Sequence, residues 1–180
     1  MSSIIINGWH IYFHPIFAKQ RQQLVDEVKK IKSRISDTQE YNNHEKVKLL
    51  KHLTTWIREK IPSNPLDTRF TLKDSLSGYC RLKGMGDFSR YRLFFKVGEE
   101  LITKKSSQDS SELPQDIQGL EIEDYLESST HEKQGDIVIL WLGWPRKKGD
   151  KKDCYEVFKK MVDRGEFPDS IEELIAESET

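Results

Sequence analysis

The sequence predicts an α+β domain, and three observations carry that prediction. Two stretches near the start repeat apolar residues at helical spacing, three later stretches are short and rich in branched and aromatic residues, and the chain ends at helical spacing again. The resulting order is strand, two helices, three antiparallel strands, then helices, with the helices set against one face of the sheet. A length of 180 residues suits a single domain spanning 1–180, since two would each have a meagre core.

Each element has its own signal. The opening "NGWHIYFHP" alternates Trp9, Ile11 and Phe13 with His10, Tyr12 and His14, the period of a half-buried strand. Pro15 then stands where a first helical residue belongs. Phe17, Leu24, Val28, Ile31 and Ile35 mark one face of the first helix, which "SDTQEYNN" breaks. In the second helix Val47, Leu50, Ile57 and Ile61 form the stripe, Leu49, Leu53 and Trp56 widen it, and "PSNP" ends it, giving an antiparallel helical hairpin. After Pro65 the period changes. "GYCRLK", "RYRLFFKV" and "DIVILWLGW" read as strands, and the last, apolar almost throughout, should be central. "KKDCYEVFKKMVDRG" predicts a third helix with a glycine stop, and "PDSIEELIAES" a fourth with Ser170 and Glu173 in capping-box spacing.

Composition narrows the class. Hydrophobic residues make up 36% and charged residues 33%, the balance of a soluble globular protein, and no stretch approaches the roughly 18 to 20 apolar residues of a membrane helix. The start lacks a signal-peptide pattern, so the expected location is the cytoplasm, without membrane contact. Cys80 and Cys154 form no CxxC motif and no disulfide framework, which makes them reduced packing residues. Net charge is −1, yet ten acids face three lysines between Glu99 and Gly135, which leaves the rest of the chain distinctly basic. That acidic insert, at about 99–135, is read as an extended hairpin loop, solvated or disordered, with "LEIEDYLES" as a helical turn the rival reading.

The basic residues concentrate in "RLKGMGDFSRYRLFFKV" and in the run from Arg146 to Lys152. On strands, Arg81 and Lys83 share a face opposite Cys80 and Leu82, while Arg90 and Arg92 share one opposite Tyr91, Leu93, Phe95 and Val97. The apolar sets can pack on helices, which leaves a cationic sheet face. One reading is a solvated surface; the other is an anion site, and arginines beside tyrosine and phenylalanine suit phosphate forks and base stacking. Arg146, Lys147, Lys148, Lys151 and Lys152, with Tyr155 about one helical turn on, would then stand at the mouth of the same face and track an RNA backbone.

"NGW", "IY" and "HPIF" at the start, "RLK" and "RYRLFFK" in the middle, and "LGW", a lysine-rich turn, "DCYEVFKKM" and "RGEFP" at the end resemble, in that order, the YhaV family of bacterial toxins within the RelE-like ribonucleases. The acidic insert is much longer than the hairpin such a fold would carry. The resemblance implies a RelE-like fold and an mRNA-cleaving toxin of a type II toxin-antitoxin module. It also implies inhibition by a cognate antitoxin with an AbrB-like DNA-binding domain, contact with operator DNA only through that complex, mRNA as substrate, on the ribosome or free, and no metal or other cofactor. By motif position the catalytic residues it implies are Arg81, Lys83, Arg92 and Tyr155.

The residues themselves admit that chemistry. Attack by a 2'-hydroxyl needs a base, charge stabilisation for the phosphorane and an acid for the departing oxygen. Lys83, crowded by Arg81, Arg90 and Arg92, is read as the base, Arg92 as the phosphate holder with Arg81 assisting, and Tyr155 as proton donor or stacking surface. Acids with metal-ligand spacing are missing beside the basic strands, which disfavours a two-metal nuclease. His10 and His14 share a strand face; as a pair they are another route to RNA chemistry, with His14 an RNA contact, while His14 as a helix-start group is the structural reading. Trp141 and Trp144 are read as packing the central strand and its exit, with base stacking the lesser reading. A basic module that grips RNA or an antitoxin without cutting is the competing function.

Overall fold

The computed structural model describes residues 3–99, 132–144 and 153–180. The start of the chain makes a hairpin. β1 (Ile4–Ile6) and β2 (Trp9–Phe13) pair antiparallel through Asn7 and Gly8, both at positive φ (52° and 80°), the twist that a two-residue hairpin turn demands and that Asn-Gly supplies at least cost. His14 then caps α1 (Pro15–Arg34), its Nδ1 accepting from Ile16 N at 3.3 Å with Pro15 in the first turn, as the sequence suggests.

The expected break after α1 holds a short helix, α2 (Thr38–Asn43), because Asp37 caps it by accepting from Glu40 N at 2.7 Å. α3 (Glu45–Thr55) follows and runs through a wide turn, Trp56–Lys60, into α4 (Ile61–Ser63). Pro62 explains the widening: it has no N–H for the ladder and its ring crowds the preceding turn, so the chain opens one register before stopping at Asn64.

The strands form one mixed sheet in the order β1-β2-β5-β4-β3. β3 (Cys80–Lys83), β4 (Arg92–Glu99) and β5 (Gly135–Gly143) are successively antiparallel, as expected, and β5 is central and buried. β2 closes the other side of β5 in parallel. Glu99 pairs with Gly135, so β4 and β5 run together to the edges of the acidic insert, whose interior, with its loop and helical-turn readings, lies outside the described residues.

Helices cover both sheet faces, which corrects the expectation of one. α1, α3 and the wide turn after α3 bury Phe17, Leu24, Val28, Leu53 and Trp56 against Ile11, Leu93, Phe95, Ile137 and Ile139. On the opposite face α5 (Cys154–Asp163) and α6 (Ile171–Glu179) bury Phe158 and Leu174 against Phe94, Val138 and Leu140. A strand apolar on both sides needs two covers, and β5 is such a strand. Phe94 is the other reason: it stands between Arg92 and Lys96 on the cationic face, and its ring stacks on Phe158 at 4.1 Å, so α5 roofs the middle of that face. Among the described residues no helix is long and apolar enough to cross a membrane.

Candidate active site

The pairing of β3 with β4 sets Lys83 opposite Arg92 and Arg81 opposite Phe94. Leu82 and Leu93 enter the core under the helical hairpin, so the alternation turns Arg81, Lys83 and Arg92 towards α5. Between the strands the chain turns through Gly86–Phe88, and Gly84 has no room for a side chain: a Cβ there would lie 1.9 Å from the Phe88 carbonyl oxygen. Arg90 belongs to this turn, not to β4, and still reaches the cluster, lining a cleft of about 440 Å³ with Lys83, Ser89, Arg92, Asp153 and Tyr155.

Tyr155 arrives from the far end of the chain. Asp153 caps α5 by accepting from Tyr155 N at 3.3 Å, and the Tyr155 ring lies edge-on to Phe94 at 5.7 Å, which fixes the first turn of α5 over β3 and β4. Its hydroxyl oxygen accepts from Arg81 Nε at 2.8 Å and from Arg92 Nε at 3.0 Å. Each guanidinium is held a second time: Arg81 Nη1 donates to the Arg69 carbonyl at 3.1 Å, and Arg92 Nη1 to the carbonyls of Ser89 at 2.7 Å and Tyr91 at 2.9 Å. Three residues predicted from three separate segments therefore meet at one oxygen. Lys83, exposed, stands beside them on the strand edge.

Among the described residues every anchor of Arg81 and Arg92 is a neutral oxygen, so their charge is oriented by groups that do not cancel it. A hydroxyl has two acceptor positions and one proton to give. With both acceptor positions of Tyr155 taken by arginines, only its proton is left to offer into the cleft.

The other nominated residues fall differently. His14 is removed from the RNA-contacting set by burial: it is 4% exposed, its Nε2 lies 2.8 Å from Glu177 Oε2 on α6, and its ring packs edge-on to Phe167. A side chain closed in this way offers a phosphate no approach; it caps α1 and ties it to α6. Arg146, Lys147, Lys148, Lys151 and Lys152 lie outside the described residues. Trp141 packs against Phe94 and Phe158, as expected, whereas Trp144 is 48% exposed. Among the described residues no group of three or more His, Cys, Asp or Glu side chains could hold a metal ion.

Two neighbours passed unremarked in the sequence. Asp153 was legible, since "DCYE" carries an acid at the cap and Glu156 three residues on. Lys96 was not: it lies on the Arg92 face with its Nζ 4.5 Å from the Tyr79 ring centre, burial pushes its pKa down while Asp169 opposes the shift, and only the tertiary fold brings those groups together. Burial likewise pushes the Cys154 thiol up to about 11, with Asp153 adding to the effect and Arg92 opposing it.

Comparison with known proteins assigns the chain to a family. The Toxin_YhaV family, described as a toxin with endonuclease activity, of a toxin-antitoxin system, matches residues 11–104 and 128–179. The chain belongs to the YhaV toxin family. The unmatched stretch, 105–127, falls within the acidic insert, so the cationic strands and α5 lie in the part shared with the family and the middle of the insert does not. Toxin YhaV of Escherichia coli O6:H1 and Ribonuclease toxin YhaV of Escherichia coli K12 are each 30% identical over 183 residues, covering 97% of this chain and 94% of the relative. No solved structure matches. Membership brings an endonuclease activity and a cognate antitoxin as partner.

Proposed function

We propose that the chain is a single-domain, RelE-like endoribonuclease that cleaves mRNA without a metal, by attack of a 2'-hydroxyl on the adjacent phosphodiester. The observation that carries this reading is the shared Tyr155 oxygen, held by Arg81 and Arg92 and beside exposed Lys83. The name of the Escherichia coli K12 relative, a ribonuclease toxin, supports RNA as the substrate.

In this reaction Arg92, with Arg81 and Arg90, holds the scissile phosphate through the guanidinium donors that its carbonyl anchors leave free, and stabilises charge as the phosphorane forms. Lys83, on the open edge opposite Arg92, takes the proton of the 2'-hydroxyl. Tyr155 gives its proton to the departing 5'-oxygen, the one hydrogen-bonding function its two arginine partners leave it. The lysine-rich run 146–152, which leads into α5, draws in the RNA backbone. The cognate antitoxin, with an AbrB-like DNA-binding domain, blocks this cleft and carries the complex to operator DNA. The toxin acts in the cytoplasm on mRNA, free or engaged by the ribosome.

The test is cleavage of a defined RNA by wild type and Lys83→Ala in the presence of EDTA. The expected products end in 2',3'-cyclic phosphate, and Lys83→Ala removes nearly all turnover while keeping most RNA affinity. Cutting abolished by EDTA would overturn the metal-free route. A wild type that binds RNA but leaves it intact would make the chain a basic binding module.

A further inference from the structure

A second cleft adjoins the Tyr155 site and has no part in the chemistry above. It encloses about 570 Å³ and is lined by Arg81 and Lys83, of which Lys83 also lines the first cleft, so the two open on either side of that lysine. Its far wall is the segment that follows α4.

Arg69 is the first unusual group there. Its guanidinium is 86% exposed, yet it is fixed: Nε lies 3.1 and 3.0 Å from the two carboxylate oxygens of Asp67, Nη2 lies 2.6 Å from Oδ2, and the backbone N–H of Arg69 also donates to Asp67 at 2.8 Å. An exposed arginine ordinarily samples many rotamers, and this one is held as a flat cationic plate. The same hydrogen bonds hold the Asp67 carboxyl below its usual range, so the lock persists through the neutral region. The Arg69 carbonyl anchors Arg81, which ties the plate to the cluster around Tyr155.

Met85 is the second. It is 53% exposed on the opposite rim, an unbranched thioether that can pack on a planar ring. The exposed Asn64 amide, with both a donor and an acceptor, has no hydrogen bond to another described residue, and Lys60 adds a cation at the rim. A flat guanidinium, a soft apolar side chain, a free amide and a lysine are the parts that bind one unstacked nucleotide: stacking on the ring, recognition of the base edge, and charge for the phosphate.

We propose that this cleft is a base-recognition subsite for the nucleotide next to the scissile phosphate of single-stranded RNA, with Arg69 and Met85 stacking on the base, Asn64 reading its edge and Lys60 meeting the backbone. The proposal rests on the ribonuclease reading and extends it to sequence preference. Lys83 lines both clefts, so an RNA strand whose scissile phosphate lies at Arg92 can run over it into the adjoining cleft, where its next base leaves the strand. Asp67 is a positioning residue, acting on the base only through Arg69.

The experiment sequences the cut ends from a randomised RNA pool and, in parallel, measures binding of uncleavable 2'-O-methyl RNA oligonucleotides, for wild type, Asn64→Ala, Arg69→Ala and Met85→Ala. All three positions are exposed, and equal melting temperatures confirm folding. The expected result is a base preference at one position beside the cut that each variant flattens, with KM for the preferred RNA and the dissociation constant for its uncleavable analogue raised roughly tenfold and kcat nearly unchanged. Arg69→Lys, which keeps the charge and loses the plate, should behave as Arg69→Ala. Wild-type cutting with the same preference, KM and affinity in every variant overturns the subsite and leaves the nuclease standing. A wild type that neither cuts nor binds either RNA overturns both.

Discussion

Beneath α6, His14 receives a backbone N–H from Ile16 at Nδ1, and its Nε2 proton goes to Glu177 at 2.8 Å. Beneath the start of α5, on the same sheet face, Arg81 and Arg92 share a single neutral oxygen at 2.8 and 3.0 Å. The contrast lies in what each group is given. His14 has both nitrogens satisfied and a carboxylate beside it, so nothing is left for a ligand. The arginines are oriented as firmly, but by a phenol and by backbone carbonyls, with no carboxylate bonded to them among the described residues, and charge held in that way is what a phosphodiester can complete. Two polar entries into one helix-covered face thus become a structural tie at one end and a candidate reaction centre at the other.

Four measurements sharpen or break that contrast. The largest effect belongs to Arg92→Ala, which takes away the phosphate donor and should lower single-turnover RNA cleavage by about 10² to 10³-fold with the fold retained. A loss under threefold would deny the cluster its role. Tyr155→Phe removes one oxygen and its proton; turnover should fall roughly 10²-fold, and an RNA with a 5'-thio leaving group, which needs no proton, should recover most of the rate. Equal defects on both substrates would make Tyr155 a scaffold for the arginines instead of an acid.

At the other end of the face, His14→Ala should cost about 1 to 3 kcal/mol in chemical denaturation through the lost cap and the lost tie to α6, with turnover per folded molecule unchanged. A selective loss of turnover would return His14 to the reaction. The smallest effect concerns the thiols. Burial pushes both Cys80 and Cys154 up to about 11 from 9.0, so between those values the unfolded chain has released protons that the folded chain keeps. Stability should therefore be full below pH 9 and decline as pH rises towards 11, seen as a falling melting temperature, and a melting curve flat across that window would contradict the burial of both thiols.

Most of the fold was legible because its signals are local. Pro15 after His14, the stripe from Phe17 to Val28, the apolar run of β5 and the Ser170 cap each act within a few residues, and each element forms where they place it. The mistaken element was the cover of the sheet: β5 is apolar on both sides, which implied two layers of helix, and Phe94 between Arg92 and Lys96 marked the second layer. The hairpin turn at Asn7 and Gly8 was missed with β1, which is too short for its period to show, although Asn-Gly is itself a hairpin signal.

By itself the sequence determined which side chains share a face within each strand, Arg81 with Lys83 opposite Leu82 and Arg92 opposite Leu93, because alternation is a property of the backbone and needs no partner. Tertiary structure alone decided that the hydroxyl of Tyr155, 63 positions after Arg92, falls between two guanidiniums, that Arg69 is held flat beside Arg81, and that His14 closes onto Glu177. Those meetings depend on where α5 and α6 settle, and that is set by the packing of Phe158, Phe167 and Leu174 on β4 and β5, a long-range apolar fit that no short stretch of residues encodes.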